Sequence, residues 1–526
     1  MASSGQLAAA VRLLSAGAWH EAETAARAAM VDDHKHGALV LGLAVAAMGE
    51  DARAAPVLAA VAALEPNADH PCLDLARLTP SLPRTLITRQ FQACLRLTPQ
   101  DDRLRLDFAG FLLDGGDVKQ AEAVMAEGPD TAAGHHLMGL VQGELDNFAR
   151  AVASFGQAVA LNPNAGASWS NLGMMLKIEQ RFAEAIEAHD HAVALEPGNH
   201  RFRVNRAVCL LKMGAWERAW LDYESRLALT DLPIVGLDRL MPSLQPADKL
   251  TGVTVLAMHE DGFGDTLQFL RYLPLLAARG ARVVACVPPA LERVMRAVPG
   301  VTAVATEVGR LPQHDFVCPM FSLPRIFGTT VETIPPVPAL VPDIDLNRRW
   351  ASCLPKDGLR AGLVWAGQAR PSLPGFRALD RRRSAGLAAF TPLFDVPGVT
   401  FVSLQMGPAA KQSPPAGAAL VDPMQHVCDF ADTAALIAGL DVVISVDTSV
   451  VHLAGLMGKP VFLLDRYDGC WRWLSGRSDS PWYPRLSIFR QSAPDDWSEP
   501  MAKAAASLKA MVRSHGVGTL KDAFVA

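Results

Sequence analysis

Two short stretches carry residues with the types and spacing needed for chemistry. In HEDGFGDTLQF, residues 259–269, His259, Glu260, Asp261 and Asp265 surround two glycines, Gly262 and Gly264. Each of the four is a candidate proton acceptor, and the glycines permit the tight backbone turns that bring such a group to a reacting atom. In DVVISVDTSVVHLAGLMG, residues 441–458, an apolar run stops at Asp447, passes Thr448 and Ser449, and enters a helical pattern that carries His452. A helix that starts at a strand's carboxyl end offers unpaired N–H groups and a positive dipole end, which together suit phosphate. The simpler reading of both stretches is a capped helix, with Asp265 as cap in the first and Asp447, Thr448 or Ser449 in the second. The glycines do not spell GxGxxG, and no Lys-Ser/Thr pair follows them, which excludes a P-loop.

Further candidates lie in the same half of the chain. DRRRSAGLAAF supplies Arg382, Arg383 and Ser384, a group able to stabilise developing negative charge or simply a solvated basic face. Gln405 closes VTFVSLQ, and Asp432 and Thr433 open ADTAALIAG, at the strand-end and helix-start positions where ligands bind in parallel sheets. Trp471, Trp473, Trp482 and Tyr483 crowd WRWLSGRSDSPWYP and can stack on a ligand or anchor a packed segment. His452, on an apolar helix face, is equally a ligand contact or a buried structural histidine. The Asp343–Asp345 pair falls in a proline-rich stretch between strands, and no other carboxylate cluster accompanies it, so no metal is expected. The eight cysteines form no CxxC pair and no zinc spacing, which suits reduced thiols in the cytoplasm.

The elements that must hold these residues alternate. VTVLAM, RVVACV, VTAVA and DFVCP read as short buried strands, and DTLQFLRYLPLLAARG as a helix closed by Gly280. After the linker GTTVETIPPVPALVPDIDLNRRW the alternation restarts with RAGLVWAG, VTFVSLQ, DVVISV and PVFLL. Strands alternating with helices imply two doubly wound parallel sheets, placed at 245–350 and 358–515.

Residues 1–235 follow a different period. From Gly139, Ala151, Ala158 and Pro163 the same types recur 34 positions on at Gly173, Ala185, Ala192 and Pro197, and a weaker copy keeps Ala219 and Tyr223. Small residues at fixed places let antiparallel helices approach closely, and proline ends the second helix of each unit. Earlier units keep Gly42, Ala54 and Pro66, while PCLDLARLTPSLPRTLITRQ blurs the period; five or six helical pairs are expected, stacked into a superhelix with an exposed concave face.

A net charge of -5, with no long basic run, gives no electrostatic support for nucleic-acid or anionic-membrane binding. The start MASSGQLAAAVRLL lacks a secretory pattern, and GALVLGLAVAAMG is too short to span a bilayer.

Read together, the helical period, HEDGFGDTLQF, ISVDTSVVHLAGLMGKP and WRWLSGRSDSPWYP resemble the bacterial tetratricopeptide-repeat glycosyltransferases. Their catalytic half, a GT-B pair of Rossmann-like domains, is similar to heptosyltransferases and to O-linked N-acetylglucosamine transferases. The resemblance covers roughly residues 130–500. It implies an inverting, metal-independent transferase that uses a nucleotide-sugar donor and no further cofactor. It nominates the Gly264–Asp265 pair for the acceptor side, Asp265 as general base and His259 as its rival. Asp447, Thr448, Ser449 and His452 are implied at the donor ribose and phosphates, with Arg382, Arg383, Ser384 and Gln405 about the leaving diphosphate and base. A protein or peptide acceptor held on the repeats, flagellin or another surface protein for example, is the expected partner. A polysaccharide or lipid-linked acceptor and a catalytically silent adaptor are the alternatives.

Overall fold

The computed structural model describes residues 5–64, 73, 83–229, 236–340, 343–370 and 374–523. By packing, the chain divides into two compact units, Met1–Met175 and Leu176–Ala526. The change of sequence period near residue 240 and this packing boundary do not coincide: the last helical pairs pack with the parallel sheets. Pro66 and most of PCLDLARLTPSLPRTLITRQ lie outside the described residues.

The first unit is helical. Gly5–Ser15 pairs with Trp19–Ala29, His34–Ala47 with Asp51–Leu64, Asp102–Gly115 with Val118–Met125, and Ala132–Glu144 with Phe148–Leu161; Arg84–Leu97 packs among them. Small residues set the spacing. A methyl on Gly139 would lie 2.8 Å from the Phe155 ring, and one on Gly42 would lie 2.7 Å from Leu58. Asp33, Asp101 and Thr131 cap three of the helices by accepting N–H bonds from His36, Leu104 and Gly134. Successive pairs begin at Ala132, Gly166 and His200, and their second helices at Phe148, Phe182 and Trp216, so the 34-residue period is carried by whole helical hairpins of the tetratricopeptide type.

The second unit holds the hairpins from Phe182 onward and two parallel sheets. The first sheet is built from β1 (Thr254–Met258), β2 (Arg282–Cys286), β3 (Val301–Ala305) and β4 (Phe316–Pro319), in the order β3-β2-β1-β4. The second contains β5 (Leu359–Val364), β6 (Val399–Ser403), β7 (Val442–Val446), β8 (Val461–Asp465) and β9 (Leu486–Arg490), in the order β6-β5-β7-β8-β9. Every ladder is parallel.

Strands buried on both faces read as continuous apolar runs because alternate residues enter different cores. Val255 and Ala257 join a core that also contains Trp216 and Trp220 of the last hairpin, whereas Leu256 and Met258 pack with Val284 and Val317 on the other face. In the second sheet Val443 enters that same large core, while Val442, Ile444 and Val446 face the core under the C-terminal helix.

Four local features depart from the sequence reading. Strand β9 is added beyond the eight anticipated. The helix expected over DTLQFLRYLPLLAARG is interrupted by a tighter turn at Leu270–Tyr272, although Gly280 does close it at φ +94°. The proline-rich linker ends in a helix, Ile344–Ser352, whose Trp350 is buried against the Phe430–Ala438 helix. Arg382 ends a helix, Pro374–Arg382, before the next short turn begins at Leu387.

Candidate functional site

The turn after β1 is a compact device. Gly262, extended at φ -76° and ψ 155°, precedes the helix Phe263–Phe269, and Asp265 in that helix's first turn accepts the Gly262 N–H through Oδ2 at 3.0 Å. Cap and candidate base are thus one residue. The other carboxylate oxygen, Oδ1, accepts from the guanidinium of Arg472. Burial pushes the Asp265 carboxyl up to about 6; Arg472 pulls it down, and the charge of Asp447 adds to the rise. Neighbouring residues play other parts. Glu260 is buried, forked by Arg226 at 2.9 and 3.0 Å, and accepts the Phe321 N–H at 2.7 Å, so it ties β1 to the segment after the last hairpin. His259 bonds Thr266 Oγ1 through Nδ1 at 2.7 Å, and burial holds its imidazole below the usual pKa. Asp261 is exposed at the tip of the turn.

The turn after β7 is built differently. Thr448, extended at φ -137° and ψ 172°, precedes the helix Ser449–Leu456, but its side chain makes no capping bond; its hydroxyl meets Ser445 Oγ at 3.1 Å instead. Asp447 Oδ2 lies 3.8 Å from Arg466 Nη1. Of the three residues offered as caps, Thr448 occupies the N-cap position and its side chain makes no capping bond, so the helix start keeps its positive dipole end without a Thr448 acceptor.

Glycine brings the two turns together. The helix after β1 packs against the helix after β7, and a methyl on Gly264 would lie 2.9 Å from His452 Cδ2 and 3.3 Å from Ser449 Cα. Only a residue without a side chain allows that approach. Asp265, the next residue, consequently enters the electrostatic field of Asp447. His452 is 3% exposed, bonds Tyr483 OH at 2.9 Å and stacks on Trp473 with ring centroids 5.4 Å apart. Burial holds it well below its ordinary pKa, so it is a neutral imidazole that sets helix spacing.

Arg472 carries no sequence signal of its own, lying between two tryptophans. Its Nε donates to Gln268 Oε1 at 2.6 Å, and its guanidinium lies 4.6 Å over the Trp471 ring. Trp471 and Trp482 pack edge-on and face-on against Trp216 of the last hairpin, at 6.3 and 5.3 Å, so these aromatics anchor the segment that delivers Arg472.

The remaining candidates are engaged by other protein groups. Arg383 donates to Gln368 O at 2.9 Å and pairs with Asp380 at 2.8 Å, and the charge of Asp447 acts on it; its Nε finds no partner. Arg382 donates to Asp468 at 3.0 Å. Ser384 bridges the Gly367 N–H and the Asp380 carbonyl. Gln405 binds the Trp365 and Ala366 N–H groups and the carbonyls of Ala366 and Met406, which shapes the loop after β5. Asp432 is held by Trp350, the Cys428 N–H and Arg293, and Thr433 bonds the Asp429 carbonyl. Asp343 caps the Ile344–Ser352 helix. Among the described residues no group of three or more His, Cys, Asp or Glu is arranged to hold a metal ion, and no helix is long and apolar enough to cross a membrane.

No protein-family model matches the chain. A curated relative, Protein FlbA of Caulobacter vibrioides, is 25% identical over 510 residues, spanning 89% of this chain and 83% of that protein. Among solved structures, the glycosyl transferase family 9 protein of Veillonella parvula is 11% identical, with a TM-score of 0.36 over 46% of this chain and 87% of its own. YrrB, described as a TPR protein with an unusual peptide-binding site, is 19% identical, with a TM-score of 0.26 over 32% of this chain and 90% of its own. At these scores neither structure adds to the architecture already described.

Proposed function

We propose that the protein is a glycosyltransferase that moves a sugar from a nucleotide-sugar donor to an acceptor, with inversion at the anomeric carbon. The observation that supports this reading is the close packing of two unlike turns through Gly264: a carboxylate with its pKa pushed up to about 6 from one sheet, and a helix start without a side-chain cap, near Asp447 and Arg466, from the other. Asp265 would take the proton of the acceptor hydroxyl as it attacks, since a base that titrates just below neutral is ionised yet still a competent acceptor. Donor phosphates would lie at the Thr448–Ser449 helix start, with ribose hydroxyls on Asp447. Arg383 and Arg466 would offset charge that develops on the leaving diphosphate, which needs no divalent metal in this scheme. A protein acceptor recruited by the helical hairpins suits an array whose repeating units each present a face to solvent.

Purified protein is incubated with a panel of nucleotide sugars, and release of free nucleotide is measured alongside the intact mass of candidate acceptor proteins. Nucleotide release with a mass gain of one sugar residue is expected. Absence of both nucleotide binding and turnover across the panel would instead favour a silent adaptor.

A further inference from the structure

A shallow, solvent-open cleft lies between the last helical hairpins and the β8–β9 segment; Lys177, Gln180, Lys212, Tyr467, Asp468 and Arg490 line it. Its positive charges are poorly met. Lys212 is 8% exposed, and its ammonium donates to the neutral Cys470 carbonyl at 3.1 Å. Lys177 makes no hydrogen bond or close ion pair with the described residues. The carboxylates nearby already have partners: Asp468 is held by Arg466 at 2.6 Å and by Arg382 at 3.0 Å, and Asp465 by Arg490 at 2.8 Å. Burial lowers the pKa of Lys177 and brings that of Lys212 down to about 8. A buried ammonium at Lys212 and a half-buried one at Lys177, facing carboxylates that already have closer partners, leave the cleft with positive charge that an anion would balance.

The cleft also adjoins the donor turn. Asp465 ends β8, the neighbour of β7, and Arg466 reaches toward both Asp447 and Asp468. Gly469 is required there because a methyl would meet Asp465 Oδ2 at 2.3 Å, so the loop wraps tightly over the strand end.

We propose that this cleft is a phosphate-binding subsite that receives one of the two phosphates of the nucleotide-sugar donor while the other stays at the Thr448–Ser449 helix start, so that Lys177 and Lys212 make the helical hairpins part of the donor site. A multiply charged anion suits two ammonium groups and a guanidinium better than a single carboxylate does. Only the source of the phosphate rests on the transferase reading; the subsite itself stands on the cleft.

Calorimetric titration of the full chain with pyrophosphate, and separately with nucleoside diphosphates, tests it. Lys177→Leu should weaken pyrophosphate binding about tenfold or more, as expected for loss of a charge-assisted bond, while leaving the Tm unchanged or higher. Lys212→Met should weaken binding similarly. A nucleoside diphosphate that displaces pyrophosphate and is weakened by the same substitutions assigns the phosphate to the donor; simultaneous binding of both overturns that assignment. Pyrophosphate affinity equal to wild type in both variants, with a raised Tm, would overturn the subsite and leave two lysines stranded by packing. Loss of sugar transfer as a reading, with pyrophosphate binding intact, would not touch the subsite.

Discussion

The turns after β1 and β7 follow the same local plan, a parallel strand leading into a helix, yet they present opposite chemistry. After β1 the Asp265 carboxylate reaches back to the Gly262 N–H and pairs with Arg472, so what the turn presents is a carboxylate. After β7 the Thr448 hydroxyl turns back to Ser445, and what remains is a helix start without a side-chain cap. Whether a helix end is capped therefore decides whether it offers an acceptor or a set of donors. Packed together through Gly264, the two bring a carboxylate beside a helix start without a side-chain cap.

The sharpest way to break this comparison is to remove the carboxylate. Asp265→Asn keeps an acceptor for the Gly262 N–H and should lower transfer by about 10²–10⁴-fold with donor affinity unchanged; near-normal rates in a steady-state assay would rule Asp265 out as base. Next is the division of labour inside the first turn. Arg226→Met would leave Glu260 buried without its cation and should cost about 3–5 kcal/mol in denaturant unfolding, whereas a Glu260 that served chemistry would show its loss mainly in rate. Gly264→Ala should cost about 1–3 kcal/mol and depress activity, because the new methyl must push apart helices that touch through backbone.

The pH profile sharpens the electrostatics. Asp265 must be ionised to act, so transfer should fall about tenfold per unit as pH drops below about 6. Arg472→Gln should move that limb upward, since the carboxyl loses the cation that holds its pKa down; an unmoved limb would mean that another group titrates. The smallest effect concerns the cap. Thr448→Ala should change stability by less than about 0.5 kcal/mol, while Asp343→Ala, which removes an acceptor of two N–H bonds, should cost about 1 kcal/mol. Equal losses in thermal unfolding would indicate that Thr448 caps its helix after all.

Much of this arrangement was legible in the sequence for reasons that are local. Short apolar runs such as VTVLAM and DVVISV mark buried parallel strands because both faces are covered, and the 34-residue spacing marks helical hairpins because each needs a small residue where its helices cross. Asp265 and Asp447 were legible as candidates because strand ends followed by glycine or hydroxyl residues are turns. What stayed hidden is what depends on distant chain segments. Arg472 meets Asp265 because Trp471 beside it docks on Trp216 of the last hairpin. Glu260 and Asp265 look alike in HEDGFGD, and only the partners brought in by distant segments tell them apart: Arg226 and the Phe321 N–H for Glu260, Arg472 for Asp265. Gln405 sits where a ligand contact was expected, yet its amide is engaged by backbone on every side. The lysines of the cleft read as ordinary helix-surface residues until the second sheet covers them.

The most direct measurement is a crystal structure of the protein with a nucleoside diphosphate bound. Phosphate oxygens within about 2.7–3.2 Å of the Ser449 or Val450 N–H groups, with the terminal phosphate facing Asp265 across Gly264, are expected. A nucleotide seated away from the β7 turn, with the Asp265 and Asp447 carboxylates both turned from it, would contradict the shared crevice on which the proposed transfer depends.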